Sequence, residues 1–172
     1  RGPLFLRIGN LTREHINLEL GDIVHVNPPV GSEGTRTEVQ EGDILISITA
    51  DLGIIGVIPK GFEKAYVNQH IALVSISANE LNRRWIGHYL SGAEAGQRQF
   101  SRLDDIGAKS GMNLSAVGAL LIALPPQKEQ NRITTILDNH DVHIRAEEAV
   151  LEKRRQVKRG LMEDLLTGRV RV

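Results

Sequence analysis

The residues of this chain best equipped for recognition chemistry are chiefly arginine, lysine, asparagine and glutamine, most of them at turns, with neighbouring Thr and Ser, because their donors and acceptors match planar hydrogen-bonding edges. They are Thr35 and Arg36 after the Gly31–Gly34 run, Lys60 and Lys64 on either side of Gly61, Asn68-Gln69, Arg98 within Gln97-Arg98-Gln99, Lys109-Ser110, and Asn113. Asn68-Gln69 falls inside an apolar run that reads as a strand, so a structural role competes there. His140 and His143 lie three apart with Asp138 and Asp141 close by. A bound metal would need a further ligand at suitable spacing, so no metal site is expected and His140 reads as a polar element of a helix seam. Asp104-Asp105 and Glu147-Glu148 are sequence neighbours and need not converge on one site.

Catalytic chemistry has little to stand on. The chain has no cysteine, which removes thiol nucleophiles, thiolate metal sites and disulfides. It contains no phosphate-binding glycine loop, nucleophile elbow or metal-spaced His/Glu pattern. Asn27-Pro28-Pro29-Val30 invites comparison with the Asn-Pro-Pro-aromatic motif of adenine-N6 methyl transfer, where the aromatic ring stacks on a flipped base. Here the fourth residue is Val, and no glycine-rich turn of a cofactor site precedes it. A turn after a strand is the better reading. We therefore expect no catalytic residue and no cofactor on this chain.

Composition bounds the rest. At 172 residues with 41% apolar and 24% charged residues, the chain suits one domain or one domain with an appendage. No apolar run approaches the roughly 20 residues that cross a bilayer, and the opening residues lack a signal-peptide core. A cytoplasmic location is the expectation. Net charge is zero, and residues 1–125 hold 11 basic against 13 acidic side chains. Phosphate attraction must then come from a local patch or a partner.

The elements that must position these side chains change character along the chain. Leu4–Ile8, Asp22–Val26, Ile44–Thr49, Gly53–Pro59, Ala65–Ile76 and Val117–Pro125 read as strands broken by Gly, Asn and Pro turns. Between Ala78 and Phe100 the spacing of Leu81, Trp85 and His88/Tyr89 predicts a helix, with Ser77 or Asn79 as its cap. The fold class is α+β (mixed α/β), followed by a long helix.

That helix is the firmest expectation. Pro125-Pro126 suits a helix start, and Ile133, Leu137, His140, Ile144, Glu147/Glu148, Leu151, Arg154, Lys158, Leu161 and Leu165 recur at steps of four and three. About 40 residues at about 1.5 Å each make a rod of roughly 60 Å, too long to be covered by a 125-residue domain. Another helix must cover it, as in a coiled coil, with polar seam positions fixing register. Gly168 marks the stop. Lys153-Arg154-Arg155 with Lys158-Arg159 is a basic cluster suited either to a partner or DNA, or to the dipole at a solvated helix end.

The segment from Leu124-Pro125-Pro126 through Glu129-Gln130, Ile133, Leu137, Asp141, Lys158 and Gly160-Leu161-Met162 to Leu165-Leu166-Thr167-Gly168 resembles the long helical region of type I restriction-modification specificity subunits. The preceding part is similar to their target recognition domain through LRIGNL (6–11), EGDILIS (41–47), the Gly53–Gly56 turn and VNQH (67–70). The resemblance implies a recognition domain at 1–125, lacking the family's opening residues, and a helical spacer, dimerisation and docking region at 126–172.

Such a chain is implied to be non-catalytic. It would read a half-site of a split double-stranded DNA target while docking methyltransferase subunits, joined by a restriction subunit. S-adenosylmethionine would be carried only by the methyltransferase partner. Ile133, Leu137, His140, Ile144, Leu151, Leu161 and Leu165 would pair helices, and a homodimer would complete the reader. A coiled-coil adaptor that never touches DNA is the alternative.

Overall fold

Short β-rich segments joined by turns that end on buried polar side chains organise the first part of the chain. The structure is a computed structural model. It describes the chain apart from residues 1, 28–30, 32, 33, 35, 79, 106–110 and 172, and the side chains of 104 and 105. Contacts divide it into two compact units, Arg1–Thr134 and Thr135–Val172.

In the first unit, β1 (Leu4–Leu6) lies between β2 (Val24–His25), antiparallel, and β5 (Ala65–Val67), parallel. A second sheet places β3 (Ile44–Ser47) between β4 (Ile55–Val57) and β6 (Ile71–Val74), both antiparallel to it. All four residues of β3 are buried, and the period-two alternation of a strand says why. Ile44 and Ile46 pack with Ile86, Leu90 and Phe100 of the helices, while Leu45 packs with Leu4, Leu6, Ala65 and Val67 of the first sheet. The second sheet is therefore covered on both faces.

The helices on that outer face are α1 (Arg83–Gly92) and α2 (Glu94–Asp105). Asn82 caps α1 by accepting a hydrogen bond from the Trp85 amide at 3.1 Å, so the cap is neither Ser77 nor Asn79. A Cβ on Gly87 would lie 2.6 Å from Val57 Cγ2, so only glycine lets α1 approach β4 this closely.

Three expectations are corrected. The expected single helix over 78–100 is α1 and α2, broken at Ala93, whose backbone is extended. The expected strand over Ala65–Ile76 is β5 and β6, which belong to different sheets. The turn between them is pinned by the Asn68 side chain accepting from the His70 amide at 3.2 Å.

The third correction concerns Val117–Pro125, expected as a strand. The residues Leu114–Gly118 form α3, and residues 119–125 join neither sheet. Their backbone is satisfied by side chains. Gln99 donates to Leu121 O and accepts from Leu121 N, both at 2.8 Å. The Trp85 indole donates to Ala123 O at 3.0 Å, and Gln130 donates to Pro125 O at 2.8 Å. A ladder partner is not needed once these bonds are made.

The long helix, α4, spans Gln127–Leu166. It ends before Gly168, which adopts φ 73°, the left-handed conformation that stops helices. Its first two turns belong to the first unit, where Gln130 and Thr134 are buried. No helix among the described residues is long and apolar enough to cross a membrane.

Candidate nucleic-acid interface

Register fixes which end of the sheets each recognition candidate occupies. β3 runs from Ile44, opposite Val57 and Val74, to Ser47, opposite Ile71. Lys60 follows β4 and Lys64 precedes β5, so both lie at the Ile44 end. Asn68 and Gln69 lie at the Ser47 end, as does Asn113, because Met112 N donates to Ile48 O at 2.8 Å. Arg36 runs towards the same end, since Val67 N donates to Thr37 O and Glu38 bridges antiparallel to Tyr66. Arg98 sits on α2. Thr35, Lys109 and Ser110 lie outside the described residues, as do Pro28, Pro29 and Val30 of the Asn-Pro-Pro motif.

At the Ser47 end, side chains form a short hydrogen-bonded chain. Gln69 Nε2 lies 3.1 Å from His70 Nε2, and His70 Nδ1 lies 2.9 Å from Thr49 Oγ1. If the Gln69 amide nitrogen donates, His70 carries its proton on Nδ1 and Thr49 accepts, which leaves the threonine hydroxyl free to donate elsewhere. Thr49 and His70 are absent from the sequence-based candidates; their position beside Asn68-Gln69 becomes visible only once β3 and β6 are paired. Asn113 is engaged as the cap of α3, accepting from Ala116 N at 2.9 Å. Arg36 and Gln69 are exposed.

Several cations are matched by acids. Lys64 Nζ lies 3.2 Å from Glu38 and 5.7 Å from the centre of the Tyr66 ring. The Tyr66 hydroxyl, and Glu38 with it, hold its ammonium above the usual lysine value. Arg98 pairs with Glu94 one helical turn away. Arg7 pairs with Asp22 at 3.0 Å. Arg13 grips Asp51, and that hydrogen bond keeps the Asp51 carboxyl below its ordinary value.

The second unit presents a different surface. Of the expected seam residues, Leu137, His140, Ile144, Leu151, Leu161 and Leu165 are all exposed, and Ile133 is half-buried within the first unit. Ile136, Val150 and Val157 are exposed too. At about 100° per residue, the row 137/144/151/165 and the row 136/150/157 bound an apolar stripe about 100° wide. His140, Glu147 and Arg154 run along its middle. A strict four-three step along the sequence finds one border and the polar line but misses the second border.

The first unit is thus a twin-sheet domain with polar side chains gathered at one strand end, and the second is a helix whose apolar stripe is exposed. Residues 33–153 match the type I restriction modification DNA specificity domain, and the chain belongs to that family. The fold is similar to the HsdS subunit of Thermoanaerobacter tengcongensis, at TM-score 0.60 and 17% identity over 94% of this chain. It is also similar, at TM-score 0.55 and 20% identity over 95% of this chain, to a chain from a structure of a type I R-M system concerned with complex assembly and conformational transition. The chain spans only 38% of the length of each of these two.

Proposed function

We propose that this chain is a DNA specificity element of a type I restriction-modification system. The segment 1–125 reads one part of a split double-stranded target, and the segment 126–172 pairs with a second helix and docks methyltransferase subunits, with a restriction subunit completing the assembly. The chain itself performs no catalysis, and S-adenosylmethionine belongs to the methyltransferase partner. Beyond family membership, the observation that carries this reading is the exposed apolar stripe of α4, since a helix carrying such a stripe gains most of its stability from packing it.

Charge favours a particular pairing. Residues 135–150 carry four acids and one arginine, and residues 151–161 carry five cations and one acid. Two copies side by side in parallel would place like charge on like. An antiparallel pair sets each acidic half against a basic half, which supports a homodimer of opposed helices. The reading end would draw on Arg36, Gln69 and Thr49, whose donors and acceptors suit base edges.

Site selection and assembly separate this reading from the adaptor, which the near-neutral charge would suit equally. Leu137→Asp and Leu151→Asp place a carboxylate in the stripe and should abolish association with a methyltransferase subunit, measured by sizing the mixture. Arg36→Glu should leave association intact and remove selection of a target from mixed duplexes. Unchanged association in the helix variants refutes the pairing role. Association without any sequence selection by the wild type leaves the adaptor standing.

A further inference from the structure

A cleft of about 360 Å³ opens in the first unit where the β4–β5 connection, the start of α1 and the first turns of α4 meet. Its polar lining includes Lys60, Asn82, Arg83, Arg84, Gln127 and Asn131, with Glu41 as the one carboxylate. Three of the six are cationic; Asn82 Nδ2 already donates to Asn131 Oδ1 at 2.8 Å and Arg84 Nη2 to Asn17 Oδ1 at 3.0 Å, so the charge on offer is that of Lys60 and Arg83. Arg83 is held in place by main-chain oxygens, Nη1 on Leu81 O at 3.2 Å and Nη2 on Ile76 O at 2.9 Å. Those carbonyls orient its charge without cancelling it. Lys60 is exposed, and neither it nor Arg83 is paired with a carboxylate among the described residues.

Arg7, Arg13, Lys64 and Arg98 are each bound to an acid; Arg36 and Arg102 are exposed cations too, and what sets Lys60 and Arg83 apart from those two is that they share one concave lining. In a segment with more acids than bases, any phosphate grip has to be local, and here positive charge is left over in a concave, donor-lined place. We propose that this cleft binds a backbone phosphate of duplex DNA, an assignment that rests on the DNA-reading function above. β3 alone spans about 13 Å, so on a duplex lying along that strand the cleft is at least about four base steps, at about 3.4 Å each, from the Thr49–Gln69 end. The phosphate gripped therefore flanks the bases being read, and the contact is indifferent to sequence.

The experiment measures binding of the full chain to labelled duplexes, of random and of selected sequence, between roughly 50 and 200 mM salt. Lys60→Ala should weaken binding to every duplex alike and reduce the salt slope by about 0.9, so that the wild-type advantage shrinks about 3.5-fold across that range. Glu41→Gln removes the opposing carboxylate and should tighten binding. Arg102→Ala, an exposed α2 cation outside the cleft, should leave the slope unchanged. An unchanged slope in Lys60→Ala, an equal effect from Arg102→Ala, or a loss confined to one sequence overturns the assignment. So does a cleft that takes inorganic phosphate while duplex binding ignores Lys60. Failure of the wild type by itself to bind any duplex overturns the cleft, and failure also when assembled with its methyltransferase subunits overturns the DNA-reading function as well, whereas wild-type binding indifferent to Lys60 overturns the cleft alone.

Discussion

Replacing Gln130 by leucine should unlock the base of the long helix. Gln130 is 3% exposed. Its Oε1 accepts from the Asn82 amide at 3.1 Å and its Nε2 donates to Pro125 O at 2.8 Å, so one side chain ties α4 both to the cap of α1 and to the end of the irregular segment. Leucine keeps the volume but leaves two backbone groups without partners. At about 1–3 kcal/mol for each buried group, and less than the full value here because both bonds are only partly buried, the loss should be about 2–4 kcal/mol. That is a large share of a domain's usual stability of about 5–15 kcal/mol. Urea unfolding followed by Trp85, the single tryptophan, reads it locally, because Trp85 lies on α1 with its indole on Ala123 O. Gln130→Glu should cost more at neutral pH and recover as acid protonates the carboxyl and restores a donor to Pro125. A leucine variant within about 0.5 kcal/mol of wild type would refute the assignment, since that is the scatter of neutral surface changes.

Other perturbations test particular contacts. Ala50 holds φ 59°, a left-handed conformation costly for any residue with a Cβ, so Ala50→Gly should raise stability by about 0.5–1 kcal/mol in the same unfolding assay despite glycine's greater unfolded-state freedom. Gly87→Ala should lower it by about 1–3 kcal/mol by driving a Cβ into Val57. Asp51 is held below its ordinary 3.8, chiefly by the hydrogen bond from Arg13. The stability this contributes is present above that value and vanishes as pH falls through the lower folded-state value. Wild type and Asp51→Asn should therefore differ by no more than about 1 kcal/mol at neutral pH, the pair being largely exposed, and converge once the pH has fallen below the folded-state value. A difference that persists in acid would show that something other than ionisation is at work.

The long helix was legible in place and length, because Pro125-Pro126, the four-three recurrence and Gly168 act locally. Most strands were legible for a similar reason, and their ends were not. Where Asn68, Asn82 and Asn113 hydrogen-bond nearby amides, one side chain decides whether a run turns or starts a helix, and apolar periodicity does not register it. Val117–Pro125 was misread because its backbone partners, Gln99, Trp85 and Gln130, come from elsewhere in the chain.

Several motifs that carry the family resemblance proved to be architectural. In LRIGNL, Asn10 is 1% exposed, accepts from Arg7 N and donates to Glu19 O and Asp22 O. In EGDILIS, buried Asp43 accepts from Gln40 N at 2.7 Å and Ser47 accepts from Ile54 N at 2.8 Å. Such residues identify a family because they hold its turns together, and they reveal little about which bases it reads. The candidate reading end was half legible: Arg36 and Gln69 could be named, but Thr49 and His70 needed strand pairing to bring them alongside.

The most direct test is sequence selection from a pool of randomised duplexes by this chain assembled with its methyltransferase subunits. The account predicts enrichment of a two-part motif with a fixed gap between its halves, the gap set by paired helices, with loss of the motif when Arg36 is reversed to glutamate. A pool that emerges unenriched from an assembled complex would contradict it.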